Sequence, residues 1–343
     1  MEHQNPIFVA FLLSTLVTTD VLADCTFEPQ QISGDKSKAL KYKLIAIASI
    51  LTSGGIGISL PFAGKIFPPL RPEKDGFFVV KTFTAGVILA TGFIHILPQA
   101  FSRLTSPCLE GYGWVDFPLT GLVAMVATIV TLLFETSAAA YQVRAAATKV
   151  VGDGEDREME VGVVHGHVHD HVHGSMSPTD DAEVRRYRIV SQVLELGIIV
   201  HSVIIGLSLG ASKSPKTIKP LIVALSFHQL FEGLGLGGNI FQAKIKSMAT
   251  MVMGACFALT TPTGIVVGIL VSNTYDENSS KALIVQGVLD AAAAGILIYM
   301  ALVDLLSPDF KNPRMQNNKI LLLSSYVSLF LGAGLMSLLA NWV

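Results

Sequence analysis

The chain has 343 residues, of which 51% are hydrophobic and 15% charged. Soluble domains carry charge on roughly a quarter of their residues, so this composition excludes a pair of ordinary soluble domains and fits a chain that crosses a bilayer repeatedly. A net charge of -2 leaves no basic footprint for nucleic acid, and three cysteines, Cys25, Cys108 and Cys256, neither build a disulfide framework nor supply a CxxC pair.

Residues 1–23 read as a secretory signal peptide. Residues 7–17 (IFVAFLLSTLV) form a short apolar core, and Val21-Leu22-Ala23 ahead of Asp24 supplies the cleavage site. Glu2 and His3 stand where basic residues are expected, so the alternative is an extra, short membrane helix. Residues 24–43 then form an extracellular tail. Eight apolar segments follow, at about 44–67, 77–100, 117–140, 188–211, 218–240, 247–272, 282–305 and 319–341. Each has about 20 or more residues, enough at ~1.5 Å per residue to cross ~30 Å of hydrocarbon. Lipid offers no water to exposed backbone groups, and the alternation a barrel needs is absent, so each segment is a helix. The predicted fold class is all-α: a polytopic membrane protein of eight transmembrane helices, helices one to three within 44–140 and four to eight within 188–343. Glycines recur in them (Gly54, Gly55, Gly57; Gly233, Gly235, Gly237, Gly238) and read as close helix packing.

Lysine and arginine set the orientation. With both termini outside, the outer connections hold Arg103, Lys213, Lys216, Lys219 and Lys281, and the inner ones hold many more, among them Lys65, Arg71, Lys74, Arg144, Lys149, Arg185, Arg186, Arg188, Lys244 and Lys246. Four lysines in the N-terminal tail run against the trend. The longest connection, 141–187, is thereby cytoplasmic. It is polar and glycine-containing, and no apolar face supports a fold there, so it is expected to be disordered. It contains histidines on alternate positions: His165, His167, His169, His171 and His173. Imidazole is the commonest protein ligand for borderline metals, and this string reads as a metal-capture tract.

Ionisable groups inside spans cost roughly 2.5–3.5 kcal/mol each on insertion scales and are functional candidates by default. They are His95, Glu135, Glu195, His201, His228, Glu232, Asp290 and Asp304; Glu135 and Asp304, near span ends, have the simpler reading of side chains that reach water. In the fifth segment, SFHQLFEGLGLGG, His228 and Glu232 are four apart and share a helix face. In the fourth, LELGIIVHSVIIGLSLGAS, His201 and Ser202 lie near mid-span. Imidazole nitrogen with carboxylate oxygen suits Zn²⁺, Fe²⁺ or Mn²⁺ and is too nitrogen-rich to favour Mg²⁺ or Ca²⁺. A hydrogen-bonded His228–Glu232 pair with no metal is the structural alternative.

HSVIIGLSLG and HQLFEGLGLG, on consecutive spans, resemble the paired motif of the ZIP (Zrt/Irt-like) metal transporters, above all their plant branch. Eight spans, outer termini and a His-rich loop between spans three and four resemble that family too. The resemblance implies uptake of zinc, and in some members Fe²⁺ or Mn²⁺, towards the cytosol, through spans four and five. Carried over, the central metal site falls on His201, His228 and Glu232, with Ser202 and Gln229 where some members place further ligands. Members with two adjacent metals have a carboxylate at the position of Ile205 and an aspartate at that of Gln229, so one central metal is expected here. His95, in GFIHILPQA, matches a span-two histidine of many plant members.

The expected function is thus uptake of zinc, with Fe²⁺, Mn²⁺ or Cd²⁺ as further substrates, at the plasma membrane, an internal membrane being the alternative. The expected partners are the metal ions and the lipid bilayer, with a homodimer allowed and no nucleic acid. No enzymatic activity or resident cofactor is expected. Two other classes compete. A metal exporter of the cation-diffusion type also has a His-rich loop, but with six spans and a cytosolic C-terminal domain. An intramembrane zinc protease needs HExxH, where this chain reads HQLFE.

Overall fold

The computed structural model describes residues 36–65, 74–110, 117–155, 178–272 and 279–341. Eight of its helices are long and apolar enough to cross a membrane: Ser37–Ala63, Asp75–Leu104, Leu119–Ala138, Arg186–Ala211, Pro215–Gln242, Ser247–Val271, Ser280–Lys311 and Lys319–Ala340, called spans one to eight below. No strand occurs among the described residues. The fold is all-α and polytopic, as the segment lengths require.

Two predicted boundaries change. The tail placed at 24–43 gives way to helix from Lys36 onwards, because Ala39, Leu40 and the lysine stems around them are good helix formers. Lys43 lies buried there, its Nζ donating to the Gly210 carbonyl at 2.6 Å. The connection placed at 141–187 shrinks from both sides. One helix runs Leu119–Glu155 and the next Pro178–Ala211. The alanines and Gln, Arg and Lys of AAAYQVRAAATKV propagate helix without an apolar face, and Pro178 at the first turn is a favoured starting position. The predicted signal peptide and the five loop histidines lie outside the described residues.

The spans sort into two shells. In spans two, four, five and seven, 61%, 61%, 67% and 61% of the apolar stretch is buried; in spans one, three, six and eight, only 28%, 17%, 33% and 28%. The outer helices turn side chains such as Leu133, Phe134, Leu270 and Phe330 outwards, as a lipid-facing surface requires. Each outer helix leans mainly on one inner neighbour: one on five, six on four, eight on two and three on seven. The main apolar core, with Ile88, Leu194, Ile198, Leu236, Ile240 and Leu297, comes from the inner four, joined by Phe257 of span six.

Glycine permits the closest of these crossings. A Cβ on Gly206 of span four would lie 2.6 Å from the Thr261 carbonyl oxygen of span six, and one on Gly264 would lie 3.0 Å from that of Val203. Side chains there would drive the helices apart. Spans two and seven share a second device. Each loosens into a π-turn, Thr91–Ile96 and Met300–Leu306, where Leu97 N–H bonds to Gly92 O and Ser307 N–H to Leu302 O. A proline follows each, Pro98 and Pro308. Its ring clashes with the carbonyl four residues back, which widens the preceding turn.

Candidate metal centre

Apart from Lys43 on span one, the buried ionisable residues of the described spans lie on the inner four. On span five His228 and Glu232 stack one turn apart, 1% and 0% exposed, and span four sets His201 and Ser202, each 1% exposed, opposite them. Span two adds His95, held in the π-turn and 3% exposed. The three imidazoles form a triangle, with ring centroids 5.9 Å apart for His201 and His228, 5.7 Å for His95 and His228, and 6.5 Å for His95 and His201. His95 is therefore a full third corner.

The polar atoms here lack protein partners. Nε2 of His95, both ring nitrogens of His201, Nδ1 of His228, Oγ of Ser202 and both carboxylate oxygens of Glu232 find no hydrogen bond among the described residues. Buried polar groups are normally satisfied, and a cluster that is not asks for a ligand. The other acids in the spans differ. Asp290 pairs with Arg103, Asp304 lies 3.6 Å from Arg186, and Glu135 accepts from the Tyr299 hydroxyl at 2.7 Å. Glu135 and Asp304 thus have protein partners where the sequence reading gave them to water. Glu195 is half-buried.

Ion size can be set against this geometry. With Zn–N near 2.0–2.1 Å, two imidazoles on one tetrahedral ion have centroids about 5 Å apart. The observed triangle is wider by roughly an ångström, and among the described residues no three His, Cys, Asp or Glu already close into a ligand group.

Gln229 has protein partners of its own. Its Nε2 donates to the Phe257 carbonyl at 3.4 Å, and its Oε1 accepts from the Thr261 hydroxyl at 3.4 Å, both on span six. Its amide is committed to helix packing, one residue round from His228. Ile205, where a second metal would need a carboxylate, is 5% exposed and packs among Ile50, Leu209, Leu225 and Ile265. That wall of the site is hydrocarbon.

Two charged pairs escaped the sequence reading. Lys81 and Asp309 meet at 2.9 Å with both side chains 7% exposed, although a lysine inside FFVVKTFTAG was a visible signal. Arg103 had been counted as a connection residue, yet it reaches the buried Asp290. Pairing across helices is not written in local sequence.

Residues 40–340 match the family of ZIP zinc transporters. The chain belongs to this family. It is 53% identical over 310 residues to Zinc transporter 3 of Arabidopsis thaliana, a match covering 90% of this chain and 86% of that protein. It is 50% identical over 325 residues to Zinc transporter 5 of Oryza sativa subsp. japonica, covering 93% and 92%, and 51% identical over 359 residues to Probable zinc transporter 12 of Arabidopsis thaliana, covering the whole of both. The ZIP match takes in all eight spans and every residue of the triangle.

Proposed function

We propose that this ZIP protein carries divalent metal ions, zinc foremost, across the membrane into the cytosol through a single central site. His201, His228 and His95 supply nitrogen and Glu232 supplies the negative charge, with Ser202 Oγ as an added oxygen. The observation that carries the reading is the gathering of three buried imidazoles and a carboxylate, all with unpartnered atoms, on the inner helices. A dication there gains lone pairs and charge while lipid-facing helices keep the surroundings dry. The nitrogen-rich set favours Zn²⁺, with Fe²⁺, Mn²⁺ and Cd²⁺ as competitors, over Mg²⁺ and Ca²⁺. Two curated relatives bear the name zinc transporter, which supports the same reading.

Both termini face outside, because that orientation gathers most connecting Lys and Arg on the cytosolic side. The plasma membrane is the membrane crossed. The histidines at 165, 167, 169, 171 and 173 then meet metal after it has crossed, as a cytosolic capture tract. The test is zinc uptake by cells expressing His228→Ala at surface levels matched to wild type. Uptake falls to background with the variant. Near-normal uptake would overturn the site, and a fall in cellular zinc on expressing the wild-type chain would overturn the direction.

A further inference from the structure

Asp290 is a carboxylate on the outer side of the histidines. Gly92, three residues before His95 on span two, packs on span seven at Ala294 and Ile298, whereas the end of span two packs at Gly287, so Asp290 lies nearer that end of the bundle than His95 does. Asp290 cannot leave: its side chain is 3% exposed and fixed on an inner helix. Its partner can. Arg103 is 19% exposed and sits one residue before the end of span two at Leu104.

The packing that joins them is specific. A Cβ on Gly287, one turn before Asp290, would lie 2.6 Å from Leu104 Cγ and 3.3 Å from Arg103 Cβ. Glycine there lets the end of span two settle on span seven. Helix side chains lean towards their own N-terminus, so Arg103, eight residues beyond His95, leans back towards it. A guanidinium thus stands between one end of the bundle and the imidazole triangle, tethered to the carboxylate a metal would otherwise meet.

We propose that Arg103 and Asp290 form a gate on the outer approach to the triangle, in which an incoming dication displaces Arg103 from Asp290 and is held by that carboxylate before passing to the histidines. This rests on the triangle being the metal site and on the N-terminus facing outside. The physical ground is charge balance. A buried carboxylate needs a counter-cation, and a guanidinium and a dication repel each other too strongly to share one site. Arg103 is the counter-cation while no metal is near, and the metal replaces it.

A gate of this kind moves KM in opposite directions for its two halves, which a merely structural ion pair does not. Arg103→Gln leaves the carboxylate open to metal and lowers the KM for zinc. Asp290→Asn removes the receiving group, leaves the guanidinium facing the path and raises KM. Each shift should be about fourfold or more, the effect of one unit charge on a dication roughly 10 Å away even at the dielectric of water. The double variant falls between them. Zinc uptake kinetics in cells at matched surface expression read the order, and any two of the three variants that insert are enough to establish it. Equal KM values, or the reverse order, overturn the gate. His201→Ala measured alongside separates the two readings: if it still transports, the site assignment has failed, whereas a silent His201→Ala with unordered KM values condemns the gate alone.

Discussion

Replacing Glu232 by glutamine is the sharpest probe of the central site, because it removes charge while keeping volume. Glu232 is 0% exposed and neither of its oxygens has a hydrogen-bond partner among the described residues, so the change breaks none of the hydrogen bonds seen there and opens no cavity. It removes the one carboxylate of the proposed ligand set. Two unit charges ~4 Å apart attract by about 4 kcal/mol at an effective dielectric near 20, and a dication doubles this. Desolvating the carboxylate returns several kcal/mol. A net loss of roughly 3–4 kcal/mol remains, which is 10²–10³-fold in kcat/KM. Glu135→Gln is the control. That side chain accepts from the Tyr299 hydroxyl at 2.7 Å, and a glutamine oxygen still can, so the loss is no more than about tenfold. Zinc uptake at matched surface expression compares the two. Equal activity of the variants would make Glu232 a structural acid and send the metal by another path.

Further outcomes follow from the same geometry. Deleting residues 163–174 removes the alternating histidines and leaves substantial zinc uptake, with changed regulation or metal preference; complete loss in a correctly inserted protein would make the tract part of the path. Uptake falls severalfold as external pH is lowered from about 7.5 to about 5.5. The sign follows from the ligands: each imidazole and the carboxylate must be unprotonated to bind metal, so protons compete with zinc, and a rate rising with acidity would refute this ligand set. Gly206→Leu forces span four off the span six backbone, where a Cβ would already stand 2.6 Å from the Thr261 oxygen. Overpacking of this kind costs about 1–3 kcal/mol, seen as a lower melting temperature in detergent; unchanged melting would show that the crossing is looser than it looks.

The eight spans were legible because lipid enforces a simple rule of length and apolarity, and the predicted segments agree with the helices to within several residues at most ends. Helix beyond the membrane was not legible. The stretch AAAYQVRAAATKV has too few large apolar side chains to read as a span, yet its alanine-rich helix propensity carries the third helix on to Glu155. His201, His228 and Glu232 stood out in the sequence because an ionisable group within an apolar run needs a reason. The standing of His95 needed three dimensions, since nothing local says that a π-turn on span two turns an imidazole towards spans four and five. Gln229 looked like a ligand by position, and only the neighbouring helix reveals that its amide is engaged by Thr261 and Phe257.

The division into inner and outer helices explains why so many charges are tolerated here. Most positions on spans one, three, six and eight face lipid, where an acid or imidazole needs a neighbour as Glu135 has in Tyr299, whereas on spans two, four, five and seven most positions face another helix that can bring a partner. The partners differ with depth. Arg103–Asp290 lies towards one end of the inner bundle and Lys81–Asp309 with Arg186–Asp304 towards the other, so paired charges bracket a middle layer that has none. In that layer His95 Nε2, both ring nitrogens of His201, His228 Nδ1 and both Glu232 oxygens have no hydrogen-bond partner among the described residues. A protein built only for stability would pair them or replace them by hydrocarbon, as it has done at Ile205. Keeping four unpaired ligand groups between two paired layers makes sense if a cation is the partner they take in turn, and the two prolines that loosen spans two and seven beside His95 and Asp304 place the most deformable turns of the inner bundle next to that layer and to the paired layer beyond it.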